Sequence, residues 1–390
     1  RRSVPLEDQQ DEDERDHLRR DAPQEHPCDE MHEAIEPEEG AVGHCRIVRD
    51  VSRLAVHRRA FRPYDRYVDP MSSDLPRLPL TVQQQADRSL LAEIEPAIAR
   101  LLERHLAVAK EWFPHEYVPY SLGRDYDKEP WTPDQPRLTG VAQTSFEVNL
   151  LTEDNLPSYH RLIYRMFHHG DGAWKEWVNR WTAEEGRHAI VIRDYLVVTR
   201  NIDPVALERG RMQTTLLGYE KDADVVGGLA YTSFQELATR VSHQNTGKYS
   251  QDPVADRIMT RVALDENLHM LFYRGALEAI LDADPSAAVK AITHEVLTFA
   301  MPGYGITGFK RKAARMADAG IYDLRIHHDD ILWPLLRYWR VFERSGLDAE
   351  AEQARERLAL FLATLDESAK RFEERRAAKR DRADAAADLS

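Results

Sequence analysis

The sequence predicts an all-α fold, a four-helix bundle with additional flanking helices, on three observations. Four segments of more than twenty residues each carry apolar side chains at helical spacing. They are punctuated by Gly- and Pro-containing breaks rather than by hairpin turns. No stretch alternates with period two over β-branched residues, so no significant sheet is expected.

The elements follow in order. From Thr81 to about Phe113, Leu90, Leu91, Ile94, Ile98, Leu101, Leu102 and Leu106 form a helical stripe. Pro114, Pro119, Pro130, Pro133 and Pro136 then exclude a helix, which leaves a long ordered loop or strap. The four long segments run from about Val141 to His169, Trp174 to Arg200, Ala223 to Asn245 and Pro253 to Leu281. Gly170-Asp171-Gly172 divides the first pair, and a short helix near Pro204–Gly218 links the pairs. Beyond them, helices are expected over Ala287–Phe299, Lys310–Ala317 and Asp329–Arg344, with a last one from Asp348. The domain is expected to span residues 71–366, and the charged tail 367–390 to be frayed.

Residues 1–70 read differently. They are rich in charge and Pro and lack any sustained period, so they cannot bury enough apolar area to offset ordering entropy. Met71 reads as a natural start, and 1–70 as a disordered or non-native N-terminal extension. Both cysteines, Cys28 and Cys45, fall in that stretch. The folded part thus has no disulfide and no thiolate nucleophile, which fits a reducing, cytoplasmic setting. The net charge is −14, and residues 1–70 hold 18 acidic and 12 basic side chains, leaving −8 for the remainder. Such a balance argues against a nucleic-acid partner. No apolar run approaches the roughly 18 residues of a membrane span.

Chemistry-bearing residues lie inside the four long segments. The second holds Glu185-x-x-His188 in "WTAEEGRH", the fourth Glu266-x-x-His269 in "ALDENLH". Residues three apart share a helix face, so each pair can reach one metal. One such pair arises by chance, as Glu14-x-x-His17 does in the leading stretch. Two pairs on apolar helices are a stronger signal. The first segment adds Glu153 among Leu150, Leu151 and Leu156; the third adds Glu236 among Phe234, Leu237 and Ala238. A carboxylate in such company is either exposed or paired with charge, because burying it alone is costly. Glu153 to Glu185 spans 32 residues and Glu236 to Glu266 spans 30, with turns near the middle. At 1.5 Å per residue this puts each pair at one level of an antiparallel helix pair. One Glu on each of two helices and Glu-x-x-His on the other two is the pattern of carboxylate-bridged di-metal bundles.

"LTEDNLPSYH", "WTAEEGRH", "YTSFQELATRVSH" and "DENLH" resemble the four metal-binding helices of the soluble acyl-ACP (stearoyl-ACP) desaturases. "EPWTPDQ" and "FAMPG" resemble that family's segments before and after the bundle, so the likeness runs from about Glu111 to about Phe309. It implies a ferritin-like di-iron bundle acting as a homodimer in fatty acid biosynthesis. Such an enzyme uses O2 and two electrons from reduced ferredoxin to place a cis double bond in an acyl chain on acyl carrier protein. Carried over by position, Glu185 and Glu266 bridge the irons, Glu153 and His188 complete one, and Glu236 and His269 the other. Oxygen donors with one imidazole per metal suit iron or manganese, and iron is the redox choice. Thr239 matches a threonine on the oxygen-binding side that delivers protons; alternatively its hydroxyl bonds the preceding turn. Asp265 and Glu184 each precede a bridging Glu and can accept the second ring N–H of the opposite His. Trp131 resembles a tryptophan on an electron route through Asp265, or else it anchors the Pro-rich strap. Leu156, Phe234, Met270 and Phe272 are candidates for cavity lining or for plain core.

The chain departs from the plant pattern at Gly186, Leu268 and Met270, and at Leu162 and Arg165 where channel residues fall. Double-bond position and chain length therefore do not transfer. A short basic helix with Lys310, Arg311, Lys312 and Arg315 is either a solvated face or a dock for an acidic carrier. Three other readings remain open: a di-iron oxygenase or hydroxylase acting on a different substrate, a ferritin-like iron-binding protein, and a non-catalytic scaffold, against which retention of all six ligand residues speaks.

Overall fold

The computed structural model describes residues 80–387 apart from Asp171, Asp222 and Tyr304; the expectations for 1–70 lie outside the described residues. No strand occurs among the described residues. Helix α1 is Val82–Val108, opened by a capping box in which Thr81 and Gln84 satisfy each other's backbone N–H. Its stripe buries Leu91, Ile94, Ile98 and Leu102. The helix stops at Val108, short of the expected Phe113, and the Pro-rich strap follows.

The strap is ordered by specific bonds to the end of a later helix. Trp131 Nε1 donates to the Arg200 carbonyl (3.1 Å), and Asn201 Oδ1 accepts from the backbone of Arg137 (2.8 Å) and Leu138 (2.9 Å). Arg200 is buried, sits at φ 58°, and stacks its guanidinium 4.1 Å from the Tyr126 ring.

The first long segment is two helices, α2 (Gly140–Glu153) and α3 (Leu156–Phe167), where one was expected. Pro157 is the cause. It lacks an N–H, and its ring collides with the carbonyl four residues earlier, that of Glu153. Helix α4 is Ala173–Val198, α5 is Pro204–Leu217, α6 is Val225–Ser250 and α7 is Pro253–Ala283. Asp203, Asp224 and Asp252 cap α5, α6 and α7 through their carboxylates. Helix α8 is Pro285–Leu297 and α9 is Phe309–Asp318. Helix α10 covers 324–338, and its middle turn, His327–Leu332, is π-helical. Helix α11 is Ala349–Ala387. The composition of 367–390 predicts a frayed end. Instead Arg376 pairs with Asp323 (2.6 Å) and Lys379 with Asp318 (2.6 Å), and Ala369 is buried, so the helix continues to Ala387.

The core is divided along the bundle. One apolar cluster gathers α1, α3, α8, the Trp174–Trp181 part of α4 and the Met270–Leu281 part of α7. The other gathers α2, Ala189–Leu196 of α4 and Ala255–Val262 of α7. On α4 and α7 the residues between the two clusters include Glu184, Glu185, His188, Asp265, Glu266 and His269, so a polar layer crosses the middle of the bundle.

Candidate metal centre

All six residues expected from the motifs converge in that layer. Glu153 closes α2, Glu185 and His188 lie on α4, Glu236 on α6, and Glu266 and His269 on α7; each is buried. They form two groups. Glu153, Glu185, His188 and Glu266 offer donor atoms within 4.8 Å of one another, and so do Glu185, Glu236, Glu266 and His269. Glu185 and Glu266 belong to both groups.

Both imidazoles point Nδ1 into the layer. His188 Nδ1 lies 3.3 Å from Glu185, 3.2 Å from Glu266 and 3.5 Å from Glu153. His269 Nδ1 lies 2.7 Å from Glu185 and 3.5 Å from Glu236. Neither Nδ1 makes a hydrogen bond, and neither do Glu185 Oε1, Glu236 Oε2 and Glu266 Oε1, although all are buried. Buried polar atoms are rarely left unsatisfied, and these five converge, so the donor set fits cations. Burial, with the neighbouring charges of Glu266 and Glu185, holds the Glu236 carboxyl well above the usual range. Oxygen donors with one imidazole in each group suit iron or manganese.

A second ring of contacts orients the donors. Nε2 of His269 meets Glu184 Oε2 at 3.0 Å, and the same oxygen meets His105 Nε2 at 2.9 Å. Arg180 Nε donates to the other Glu184 oxygen (2.6 Å). Burial works to raise the Glu184 pKa, but its bonds to His105 and His269 outweigh burial and hold it far below the usual carboxylate range. Nε2 of His188 faces Asp265 Oδ2 at 3.5 Å. Asp265 accepts from Trp112 Nε1 (2.7 Å), Arg187 (3.2 Å) and Arg261. Burial would raise its pKa too, but His188, His269 and Trp112 bring it to about 2. Thr239 Oγ1 lies 2.9 Å from Glu266 Oε2 and 3.0 Å from the Glu236 carbonyl, so its one proton has a donor-set acceptor and a backbone acceptor. Trp181 Nε1 donates to Glu236 (3.0 Å). His243 Nε2 meets Glu153 Oε1 at 2.9 Å; burial pulls this imidazole down, but Glu153 and Glu266 raise it to about 9.

Trp131 is not at this site. The strap carries it to Arg200, and the tryptophan on Asp265 is Trp112, just past the end of α1. The reading also missed His105 and His243. His243 lies seven residues after Glu236, on the same helix face, and His105 continues the α1 stripe; those spacings were the available signal.

An apolar cavity opens from the layer. Glu153, Glu185 and Glu236 stand at one part of its wall, and Leu162, Ile163, Met166, Tyr231 and Pro302 are among the other lining residues. The four proposed lining residues are elsewhere. Phe272 stacks on Trp177 at 3.5 Å, Phe234 meets Trp339 edge-on, and Leu156 and Met270 pack in the core.

Fold and layer together define a helical-bundle protein with a paired, carboxylate-rich cluster that fits a metal site. Comparison with known proteins specifies the class further. The sequence profile of the fatty acid desaturase family matches residues 86–388, and the chain belongs to that family. DesA1 of Mycobacterium tuberculosis (strain ATCC 25618 / H37Rv), named as an acyl-[acyl-carrier-protein] desaturase, is 47% identical over 300 residues, covering 74% of this chain and 88% of DesA1. The chloroplastic stearoyl-[acyl-carrier-protein] 9-desaturase 6 of Arabidopsis thaliana is 32% identical over 247 residues, 58% of this chain and 61% of that one. The X-ray structure of DesA2 from M. tuberculosis H37Rv superposes with a TM-score of 0.55 at 28% identity, covering 66% of this chain and 97% of the other. No helix among the described residues is long and apolar enough to cross a membrane.

Proposed function

We propose that this chain is an O2-dependent acyl-[acyl-carrier-protein] desaturase, with two iron ions held by Glu153, Glu185, His188, Glu236, Glu266 and His269. The observation that carries the reading is the pair of four-donor groups sharing Glu185 and Glu266 on the wall of an apolar cavity. The overall reaction removes two hydrogens from adjacent methylenes. With O2, two electrons and two protons it yields a cis alkene and two waters. Bound iron would activate O2 for removal of hydrogen from an unactivated methylene, chemistry that no side chain can perform.

The chain's own residues do the rest. Leu162, Ile163 and Met166 hold an acyl chain beside the metal layer and keep water out. Glu184 holds the His269 imidazole by a hydrogen bond, and Asp265 faces Nε2 of His188, so both rings present Nδ1 inward. Thr239 carries a hydroxyl proton against Glu266, where it can be passed on. Trp112, bonded to Asp265, rather than Trp131, offers the electron route. Reduced ferredoxin is the electron donor, and the enzyme works as a cytoplasmic homodimer.

The test is to load the protein with Fe(II) anaerobically, count iron per chain, add stearoyl- or palmitoyl-ACP, ferredoxin, a reductase and O2, and look for a monoene by mass spectrometry. Two irons and a monoene are expected. Two irons without a monoene would direct attention to hydroxylated products, and absence of stoichiometric iron would overturn the reading.

A further inference from the structure

Helix α9 is a cationic element in an acidic chain. Lys312 is spent on Glu147 of α2 (2.7 Å), and the helix's one acid, Asp318, is taken by Lys379 of α11. Lys310, Arg311 and Arg315 are exposed and have no anionic partner among the described residues. The end of α11 lies against α9, where Arg376 donates to the Ala317 carbonyl (3.1 Å) and Lys379 pairs with Asp318.

Exposed apolar side chains lie on α5, which contacts the loop leading into α9. Met212 and Leu216 on α5 are 58% and 83% exposed. Gln213 of α5 accepts from Thr307 (3.1 Å), and Leu217 packs beside Gly305, which joins α5 to the loop leading into α9. That loop begins at Pro302, a residue of the cavity wall, and a Cβ on Gly303 would fall 2.1 Å from the Phe309 ring, so loop and helix are closely packed. Glu147 is six residues before Glu153, which sets α9 about 9 Å along α2 from the metal layer.

We propose that α9, with the exposed end of α5 and the end of α11, is the docking surface for the acidic carrier protein that delivers the acyl chain. This rests on the desaturase reading above. Charge complementarity selects the occupant: three unpaired cations on α9, with exposed apolar side chains on the α5 helix that the preceding loop contacts, can steer and seat an acidic partner. A nucleic acid would need a far larger basic surface than a chain of net charge −14 offers.

The test uses the full-length, iron-loaded protein and a phosphopantetheinylated acyl carrier protein bearing no acyl chain. Binding is measured at low and high salt for wild type, for Arg315→Ala, and for the combined Lys310→Glu, Arg311→Glu, Arg315→Glu variant. Helix content and iron stoichiometry verify that the variants are folded. Charge reversal should weaken binding by about tenfold or more and abolish its salt dependence, with the single variant in between. In turnover the KM for acyl-ACP should rise while kcat holds. Unchanged KM and affinity in the reversed variant would overturn this surface and leave the desaturase reading standing. Failure of wild type to bind the carrier at all would overturn both.

Discussion

Trp112 donates its indole N–H to Asp265 across 2.7 Å, and the same Asp265 oxygen faces Nε2 of His188. A residue just beyond α1 is thereby connected through one carboxylate to a metal-facing imidazole on α4. Replacing it by phenylalanine leaves a buried charge short of one donor, a loss of about 1.5–3 kcal/mol for a hydrogen bond to a charged group. Trp112→Phe should lower stability by that order in chemical denaturation and slow single-turnover product formation. Wild-type stability and rate in this variant would remove Trp112 from the site.

Glu184 holds His269, His105 and Arg180 at once. Its amide analogue keeps the shape but loses the charge and one acceptor. Glu184→Gln should weaken iron binding about 10- to 100-fold, the usual cost of removing a partner that orients a ligand. Competition with a chelator of known affinity measures it, and equal iron retention would mean His269 is oriented by other groups.

Cations relieve the mutual repulsion of buried Glu153, Glu185, Glu236 and Glu266 only in the folded chain. At a hundredfold excess over Kd, bound iron should add about 2.7 kcal/mol and raise the Tm. Chelation should reverse the shift, and Glu236→Ala should shrink it. A Tm indifferent to Fe(II) in the wild type would contradict the metal assignment.

Burial, aided by the charge of His328, lowers the His327 pKa from 6.5 to about 4. Between those values the unfolded chain binds more protons than the folded one, so stability rises with pH. The contribution is complete above about 6.5 and is lost as pH falls towards 4. Partial exposure of the ring caps it at about 3 kcal/mol. His327→Phe should flatten the denaturation profile in that window; an unchanged slope would assign the pH dependence to other groups.

A Cβ on Gly228 would fall 2.2 Å from Met166 Sδ in the cavity wall. Gly228→Ala should push that thioether into the cavity and shorten the longest acyl chain desaturated, and Met166→Ala should lengthen it. Product profiles from a mixture of acyl-ACPs read both, and identical profiles would show that Met166 does not line the acyl path.

The donor set was legible because it is written locally: Glu-x-x-His is a helix-face statement, and Glu153 and Glu236 stand out against leucine and phenylalanine. The break at Asp154–Asn155 was less so, since the apolar period runs through it and only Pro157 marks the interruption. The exchange of Trp131 for Trp112 could not be read, because a Pro-rich strap has no period from which to infer what its side chains reach. Likewise the composition of 367–390 looks solvated. The ion pairs from Arg376 to Asp323 and Lys379 to Asp318 cross more than fifty residues of sequence, and no local pattern announces them.

The imidazole of His105 stacks 6.0 Å from that of His269 and shares Glu184 with it. It comes from α1, which lies outside the four donor helices. The centre is therefore not a detachable cassette. A minimised version cut to the four donor helices would keep every candidate ligand yet free the Glu184 carboxylate to turn away, and designers borrowing this site should transplant five helices.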